Sequence, residues 1–293
     1  MCAFKKLFLV LVVAQVSCAT IRVYEEPDKP VFIFNEAGST LPTDPDSLTV
    51  LSFNIAKAEK IEQAVFELQI FERTTPVDIY LLQEMDEGGV QAIAKELKLN
   101  YLYIPVVYNK LVQKNIGNAI LTKGSISYQK KLILPHKKWL NGRRRHVTVG
   151  EVNIGNKKIL VYSVHTETSS MWRKKRMEQL DSIIAHAGQQ STNYRYIVIG
   201  GDFNTLFPKD AKEAIQKFSV AGFKCATAAT GHTATALFGL IKPKEDHIFY
   251  KGLQATGAGK IETSKASDHY PIYATFRDSV EGSDAKVPAK PQY

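Results

Sequence analysis

Cysteine is scarce in this chain of 293 residues, which has only Cys2, Cys18 and Cys225. The first two lie in or at the edge of an N-terminal segment that has the features of a removable targeting sequence. The remaining chain then holds one cysteine, which excludes an internal disulfide framework. Hydrophobic residues make up 44% of the chain. The fold must therefore be held by its core, and the chain is long enough to bury a large one.

Long apolar runs are also missing, because no run approaches the ~20 residues that a membrane-spanning helix needs. Residues 1–19 combine Lys5 and Lys6 with an apolar run at 7–14 and small residues at 17–19. This order is typical of a cleaved secretory signal. We therefore expect a secreted or periplasmic protein. Cys18 follows the apolar run and a small residue, so a lipid anchor at Cys18 is a second expectation.

Acidic side chains are rare in the middle of the chain. Between Lys110 and Arg176 there are 16 Lys and Arg but only two acids, Glu151 and Glu167. This block has a formal charge of +14 within a chain of net charge +9. Such an asymmetry favours a polyanionic partner, either nucleic acid or an anionic phospholipid surface. The alternative is a set of solvated lysine faces that serve solubility alone.

The hydrophobic pattern predicts one domain that is rich in strands. Apolar runs predict strands at 48–55, 77–83, 101–108, 117–123, 125–134, 146–154, 158–164, 197–200, 246–253 and 270–276. Helical spacing predicts helices at 57–73, 90–97, 171–187 and 209–218. We therefore divide the chain into a signal at 1–19, an irregular leader at 20–47 with an edge strand at 31–34, an α+β domain at 48–277 and a disordered tail at 278–293.

The segment 196–205 is the most informative one. Four apolar residues predict a buried strand, and Gly200 and Gly201 then allow the backbone to turn. Asp202 and Asn204 follow at positions i and i+2, which point the same way in an extended chain. A carboxylate and an amide would then share one face at the end of a strand. A simple turn stabilised by Asp and Asn is the alternative interpretation.

Other predicted strands carry polar residues of catalytic type at one end. These residues are Asn54, Glu84, His165 and the pair Asp268-His269. In a mixed sheet, the C-terminal ends of some strands and the N-terminal end of an antiparallel neighbour can lie on one edge. Each residue alone is more often a turn or surface group. Together they predict a polar site at that edge.

The residue types at this edge favour phosphoester chemistry. Asn54 and Glu84 are oxygen donors without nearby soft ligands, which suits Mg²⁺ or Mn²⁺ better than Zn²⁺. Asp202 suits a base for water, and His165 and Asn204 suit donors to phosphate oxygens. Asp246 opens a strand that could orient His269. The chain has no Gly-x-Ser-x-Gly, Walker-type loop, His-Glu-x-x-His or Cys-x-x-Cys motif.

The order of these motifs resembles the DNase I-like endonuclease/exonuclease/phosphatase superfamily. The matching segments are 52–55, 82–84, 117–121, 163–167, 200–204, 246–249 and 267–269. They follow the family order and cover nearly the whole chain after the leader. The resemblance implies a four-layer α/β sandwich, in which two packed mixed β-sheets are flanked by helices. One departure is His247, at a position that is often aliphatic or aromatic.

The resemblance also implies roles for individual residues. Asn54 and Glu84 would bind the divalent metal, and Asp268 could join them. His165 and Asn204 would hold the scissile phosphate, while Asp202 would orient or deprotonate the attacking water. His269, paired with Asp246, would be the partner acid/base or a phosphate ligand. Four arginines are candidate phosphate contacts on the substrate: Arg143, Arg144, Arg145 and Arg173.

Three functions remain open at this point. The first is a secreted, metal-dependent phosphodiesterase that cleaves DNA or RNA, acting as a monomer without a protein partner. The second keeps the chemistry but takes phospholipid headgroups, such as sphingomyelin, or inositol phosphates and other small phosphoesters. The third is a non-enzymatic interaction protein on the same fold, which the complete polar set argues against.

Overall fold

The computed structural model describes residues 21–36, 47–139, 142–236 and 239–279. The predicted signal, Cys18 and most of the predicted tail lie outside these residues and stay predictions. None of the helices in the described residues combines the length and the apolar character that a membrane crossing needs.

The first sheet has eight strands in the order β1-β5-β6-β4-β3-β14-β13, with β2 also paired to β5. Its strands are β1 (Ile21–Val23), β2 (Phe32–Phe34), β3 (Leu48–Asn54), β4 (Ile79–Met85), β5 (Asn100–Asn109), β6 (Lys114–Thr122), β13 (Leu253–Lys260) and β14 (Ile272–Asp278). Strands β3 and β4 are parallel, and β14 runs antiparallel to β3. The predicted edge strand in the leader is thus present as β2, and β1 adds a second contact of the leader with β5.

The second sheet has six strands in the order β11-β12-β10-β9-β8-β7. Its strands are β7 (Ser125–Ile133), β8 (His146–Ile154), β9 (Lys157–His165), β10 (Tyr196–Asp202), β11 (Lys224–Cys225) and β12 (Asp246–Lys251). Strands β9 and β10 are parallel, and β12 runs antiparallel to β10. Strands β8 and β9 form a hairpin, in which Ile154 pairs with Lys157.

The described residues contain four α-helices, which cover the outer faces of the sheets. They are α1 (Ile61–Thr74), α2 (Glu87–Leu97), α3 (Arg173–Gln190) and α4 (Pro208–Val220). One buried cluster joins the two sheets, for example Leu81 to Val198. A second cluster lies between the first sheet and α1 and α2, and a third between the second sheet and α3 and α4. The predicted four-layer α+β sandwich is confirmed.

Some local predictions differ from the structure. The helix predicted from residue 57 begins at Ile61, because a 3-10 turn at Ala56–Ala58 holds positive φ angles that an α-helix cannot contain. Strand β13 was not predicted, since its sequence LQATGAGK is rich in small residues and its burial is low. Small residues carry little of the hydrophobic alternation that marks a strand.

The glycine pair in β10 has a different role from the predicted turn. Gly200 and Gly201 lie inside the strand, which continues to Asp202. A Cβ on Gly200 would lie 2.7 Å from Leu81 Cδ1 of the opposite sheet. A Cβ on Gly201, at φ 148, would lie 2.0 Å from the Val164 carbonyl oxygen. The glycines therefore let β10 approach both its neighbour β9 and the other sheet, which brings Asp202 to the meeting point of the two sheets.

Candidate active site

Strand direction brings the predicted polar residues to one edge of the sandwich. Residues Asn54 and His165 end β3 and β9, and Asp202 ends β10. Asp246 begins β12, which is antiparallel to β10, so its first residue pairs with Asp202. The loop before β14 supplies Asp268 and His269 in the same way, since β14 is antiparallel to β3. Both sheets thus contribute to one cleft of about 440 Å³.

Asp202 lies at the centre of this cleft. Its Oδ2 atom accepts a hydrogen bond from Asn54 Nδ2 at 3.0 Å and lies 3.4 Å from His165 Nε2 and 3.9 Å from His269 Nε2. The side chain is only 2% exposed. Burial raises the pKa of Asp202, which the charge of His269 opposes and that of Asp246 reinforces. A buried carboxylate with a raised pKa and donors from both sheets is a strong candidate base.

Glu84 reaches the cleft through an irregularity in β4. The register of β4 against β6 shifts between Leu82 and Met85, and Glu84 has φ 56. A bulge of this kind re-aims a side chain that would otherwise follow the strand alternation. The half-buried Glu84 carboxylate lines the cleft, with Oε1 3.9 Å from His165 Nε2.

His269 is held by a buried carboxylate. His269 Nδ1 lies 2.8 Å from Asp246 Oδ2, and the same oxygen accepts a hydrogen bond from Thr233 Oγ1 at 2.7 Å. Burial alone would lower the pKa of His269, but the carboxylates of Asp246, Asp202 and Glu245 hold it well above its ordinary value. His269 is therefore cationic near neutral pH and presents Nε2 to the cleft.

His165 has the opposite surroundings. Its Nδ1 lies 3.1 Å from Arg145 Nη1, and an arginine can only donate in such a contact. Arg145 is itself buried, with Nε 3.7 Å from Glu167 Oε2, and Arg143 donates to Glu167 Oε1 at 2.9 Å. Burial and the charges of Arg145 and Arg143 hold the pKa of His165 well below its usual range. His165 is therefore neutral and carries its proton on Nε2, the atom that faces the cleft.

Asn204 lines the same cleft and itself adopts a left-handed backbone conformation, with φ 48. Its backbone N–H donates to Asp202 Oδ1 at 2.7 Å, and its Nδ2 donates to the Thr166 carbonyl at 3.0 Å. The amide group has a second N–H, which remains for a substrate oxygen. Arg176 of α3 stabilises this backbone conformation, because its Nη1 donates to the Asn204 carbonyl at 2.9 Å.

The donor set of the cleft fits a hard divalent cation. Asn54 and Glu84, from the neighbouring strands β3 and β4, both line the cleft. In the described residues, no three His, Cys, Asp or Glu side chains form a complete metal cage. Mg²⁺ does not require one, since it keeps several waters and binds one or two carboxylates together with substrate phosphates. Glu84 and the side-chain oxygen Oδ1 of Asn54, which also accepts a hydrogen bond from Ala56 N at 3.1 Å, can fill that role. The exposed Asp268 borders the same cleft.

The structure brings eight of the twelve predicted residues together around the cleft and separates the four arginines. Arg143 and Arg145 line a smaller cavity of about 130 Å³ that shares Glu84 and His165 with the cleft. Arg144 lies toward the leader, where a Lys137 hydrogen bond and the charge of Arg144 lower the pKa of Glu25. Arg173 does not reach the cleft, because its guanidinium pairs with Asp210 and Glu213 of α4. Its role as a substrate contact stays a prediction.

Two supporting residues were not predicted from the sequence. Thr233 holds Asp246, and Ser267 donates to the Asn54 carbonyl at 2.7 Å and accepts from the His269 N–H at 3.1 Å. Thr233 lies in an irregular segment without periodicity, so no signal marked it. Ser267 directly precedes Asp268-His269, and its place in that motif could have indicated it.

A sequence model of the endonuclease/exonuclease/phosphatase family matches residues 51–269. The chain belongs to this family. The match contains all eight residues of the cleft. Members of the family are phosphoesterases and generally depend on a divalent metal.

Solved structures of low sequence identity share the fold. An endonuclease/exonuclease/phosphatase from Beutenbergia cavernae has a TM-score of 0.64 at 16% identity, over 80% of this chain and 72% of that one. One from Bacteroides vulgatus has a TM-score of 0.62 at 18% identity, over 79% and 99%. D. rerio TDP2 complexed with single-strand DNA product has a TM-score of 0.62 at 15% identity, over 80% and 100%. A search of curated protein sequences finds no match.

Proposed function

We propose that this protein is a secreted, Mg²⁺- or Mn²⁺-dependent phosphodiesterase that cleaves nucleic acid. The observation that carries the proposal is the position of Asp202. Its Oδ2 atom lies within 4 Å of side-chain nitrogens of Asn54, His165 and His269, which come from both sheets. Such a convergence of one raised-pKa carboxylate with several donors is what water attack on a phosphodiester requires.

The side chains divide the work by their proton states. Asp202 orients a water molecule and accepts its proton. Neutral His165, through Nε2–H, and the free N–H of Asn204 donate to the phosphoryl oxygens, where negative charge develops. Cationic His269, held by Asp246, lies on the other side of Asp202 and releases a proton through Nε2 to the leaving oxygen. Preorganised donors in a buried cleft stabilise such charge more strongly than water does.

The metal would be held by Glu84 and Asn54, with Asp268 as a further ligand. When bound, it polarises a phosphoryl oxygen and stabilises the leaving oxygen. The half-buried Glu84 carboxylate and the oxygen-only donor set support Mg²⁺ or Mn²⁺.

The choice of nucleic acid rests on charge. The block from Lys110 to Arg176 carries 16 basic residues against two acids, and Arg143 and Arg145 of this block line the smaller cavity that shares Glu84 and His165 with the cleft. A DNA-bound structure of TDP2 shares the fold.

The proposal of secretion rests on residues 1–19 alone. Comparing the amounts of protein in the medium, periplasm and membrane fractions tests both secretion and an anchor at Cys18.

The test is a Mg²⁺-dependent assay of the purified protein on plasmid DNA, RNA, sphingomyelin and inositol phosphates in parallel. We expect cleavage of nucleic acid that EDTA abolishes. Asp202→Asn should lower kcat by about 10³-fold or more, within the range of about 10²–10⁴-fold for a lost general base. Asp86→Asn is the matched control, since Asp86 is a buried carboxylate that caps α2 outside the cleft.

Three results would contradict the proposal. Cleavage that persists in EDTA would show that the reaction does not need a divalent metal. Equal activity of Asp202→Asn and Asp86→Asn would show that Asp202 is not the base. Hydrolysis of sphingomyelin or inositol phosphates without any cleavage of DNA or RNA would replace the substrate class.

A further inference from the structure

We propose that Trp139 and Trp172 form a stacking platform for single-stranded nucleic acid beside the catalytic cleft. The inference deepens the proposed function and rests on it, because it assigns a single-stranded substrate to the same site. The platform consists of these two indoles alone.

The two indoles are unusual in their exposure. The chain has only two tryptophans, and they are 88% and 82% exposed. Tryptophan is highly buried on average in folded proteins, so an exposed indole is the informative case. Neither residue contributes to the three buried clusters of the fold. Their side chains are therefore available to a partner.

Trp172 follows, four residues later in the chain, a residue that lines the cleft. Thr168 lines the cleft, and its carbonyl accepts a hydrogen bond from Met171 N at 3.0 Å, which sets the turn that leads to Trp172. Trp172 is the N-cap residue of α3. The first turn of α3 is attached to the segment that follows β10, because Arg176 donates to the Asn204 carbonyl.

Trp139 stands on a second loop, which contacts α3 and the segment before it. Lys138 N donates to the Arg143 carbonyl at 2.7 Å, and Arg143 pairs with Glu167, next to Thr168. Gln179 of α3 donates to the Pro135 carbonyl at 3.0 Å, at the start of the same loop. These contacts hold the loop of Trp139 against the N-terminal half of α3, the helix that Trp172 caps.

The charge around the indoles selects a polyanion. Residues 135–145 and 167–178 hold nine Lys and Arg against two acids, Glu167 and Glu178. Glu167 is buried between two arginines, and Glu178 pairs with His136. Lys174 and Lys175 are exposed beside Trp172, and neither forms an ion pair within the described residues. Exposed aromatic rings among cations are the arrangement on which single strands bind.

A single strand fits these features better than a duplex or a membrane. Only unpaired bases offer free faces for stacking, and the bases of a duplex are already stacked. Single-stranded nucleic acid is also flexible. One of its phosphates can therefore enter the cleft toward Asp202, which is only 2% exposed, while the neighbouring bases stack on the indoles. A membrane-inserting surface needs a continuous apolar face. Here the chain neighbours of the indoles include Lys138 and Arg173, so the two rings stand separately among charges.

The platform supplies its own reporter, because all tryptophan emission of the protein comes from it. Tryptophan fluorescence is followed while a short oligothymidylate, the matching duplex or phosphatidylserine vesicles are added, with EDTA present to prevent cleavage. Trp139→Phe and Trp172→Phe leave one indole each and assign the signal. Binding is measured separately by the anisotropy of a labelled oligothymidylate for Trp139→Ala, Trp172→Ala and the Phe variants.

We expect the oligothymidylate to quench both indoles more than the duplex does. Each Trp→Ala substitution should weaken its binding by roughly 5- to 150-fold, the usual effect of one lost stack. Each Trp→Phe variant should retain most of the affinity, because an aromatic face remains. Phe66→Ala should bind like the parent protein, since Phe66 is an exposed aromatic of α1 outside the cleft. Melting temperatures of all variants check the fold.

Binding without cleavage separates this inference from the proposed function. Cleavage of DNA or RNA without quenching, or Trp→Ala variants that bind like the parent, would overturn the platform and leave the function intact. Quenching by oligothymidylate without any cleavage would support the platform and contradict the proposed reaction. A blue shift with vesicles and no response to oligothymidylate would overturn the platform in favour of a membrane-binding face.

Discussion

The two histidines of the cleft face the same carboxylate from opposite sheets but have opposite neighbours behind them. His165, from β9, has a guanidinium behind its ring, with Arg145 Nη1 3.1 Å from Nδ1. His269, from the loop before β14, has a carboxylate there, with Asp246 Oδ2 2.8 Å from Nδ1. The Nε2 atoms lie 3.4 and 3.9 Å from Asp202 Oδ2. The two sides therefore differ in the group that contacts the Nδ1 atom of each histidine.

This difference gives identical side chains different chemical states. An arginine can only donate, so it requires a lone pair on His165 Nδ1 and leaves the proton on Nε2. A carboxylate accepts, so it holds a proton on His269 Nδ1 and favours the cation. One side of the cleft thus offers a neutral donor and the other a charged one. Both can donate to a phosphate, but only His269 can release a proton to a leaving oxygen and return to neutrality.

Among the changes that test this difference between the two histidines, the largest effect is expected from Asp246→Asn, which removes the carboxylate that contacts His269 Nδ1. The amide can no longer stabilise the imidazolium, so kcat should fall by about 10²- to 10³-fold, as for a lost acid/base group. KM should change much less, because Nε2 still faces the cleft. Steady-state kinetics on the preferred nucleic acid measures both values. If Asp246→Asn keeps the kcat of the Asp86→Asn control, His269 does not depend on its carboxylate.

The His269–Asp246 side was the more predictable from sequence. Asp246 and His269 stand at the ends of apolar strands, and antiparallel pairing of such strands places them at one edge. The Arg145 side was not predictable in the same way. Arg145 was expected to contact the substrate directly, within an arginine run that is typical of a solvated loop. Its burial against His165 and Glu167 follows from tertiary packing of β8 against β9, which no local pattern encodes.

The bulge at Glu84 and the glycine pair lead to the same conclusion. The residue types at these positions indicated metal binding and a tight backbone. Their geometry depends on partners far along the chain, namely Gly117 opposite Met85 and Leu81 opposite Gly200. Motifs therefore predicted which residues form the site, while the sheets decide how they reach it.

An intermediate effect is expected from Arg145→Gln on the His165 side. The substitution leaves Glu167 buried with Arg143 as its remaining partner, and losing one member of a buried pair costs about 3–5 kcal/mol. We expect a loss of about 3 kcal/mol in the free energy of unfolding, at the low end of that range, because the Arg143 contact at 2.9 Å persists. Urea denaturation of the variant and the parent protein measures the loss.

A double-mutant cycle then tests the assigned cause. Arg145→Gln with Glu167→Gln should be more stable than the sum of the two single changes predicts, because no buried carboxylate is left short of a partner. Strictly additive losses would show that Arg145 is not held by Glu167. The guanidinium behind His165 would then need another support.

The smallest effect concerns His146 and His247, two histidines outside the cleft. They sharpen the comparison because no carboxylate of the described residues contacts their rings. Burial lowers the pKa of both His146 and His247 to about 3; nearby cations, including Lys131 and Lys244 respectively, add to this. In the unfolded chain a histidine has a pKa of about 6.5. Below that pH the histidine binds a proton in the unfolded state but not in the folded state. The free energy of unfolding therefore falls as the pH falls.

The expected slope is about 1.4 kcal/mol per pH unit for each of these histidines between roughly pH 6 and 4. His247→Gln removes one titrating group, and the Gln side chain can still meet Thr205 Oγ1, which lies 3.0 Å from His247 Nε2. The variant should therefore lose stability less steeply with acid than the parent, although it should start from a lower value at pH 7 because the contacts of the ring with Phe203 and Phe249 are lost. Urea denaturation at a series of pH values measures the difference in slope. Equal slopes in the two proteins would mean that His247 takes up its proton without unfolding, and a buried neutral ring would then be the wrong description of it.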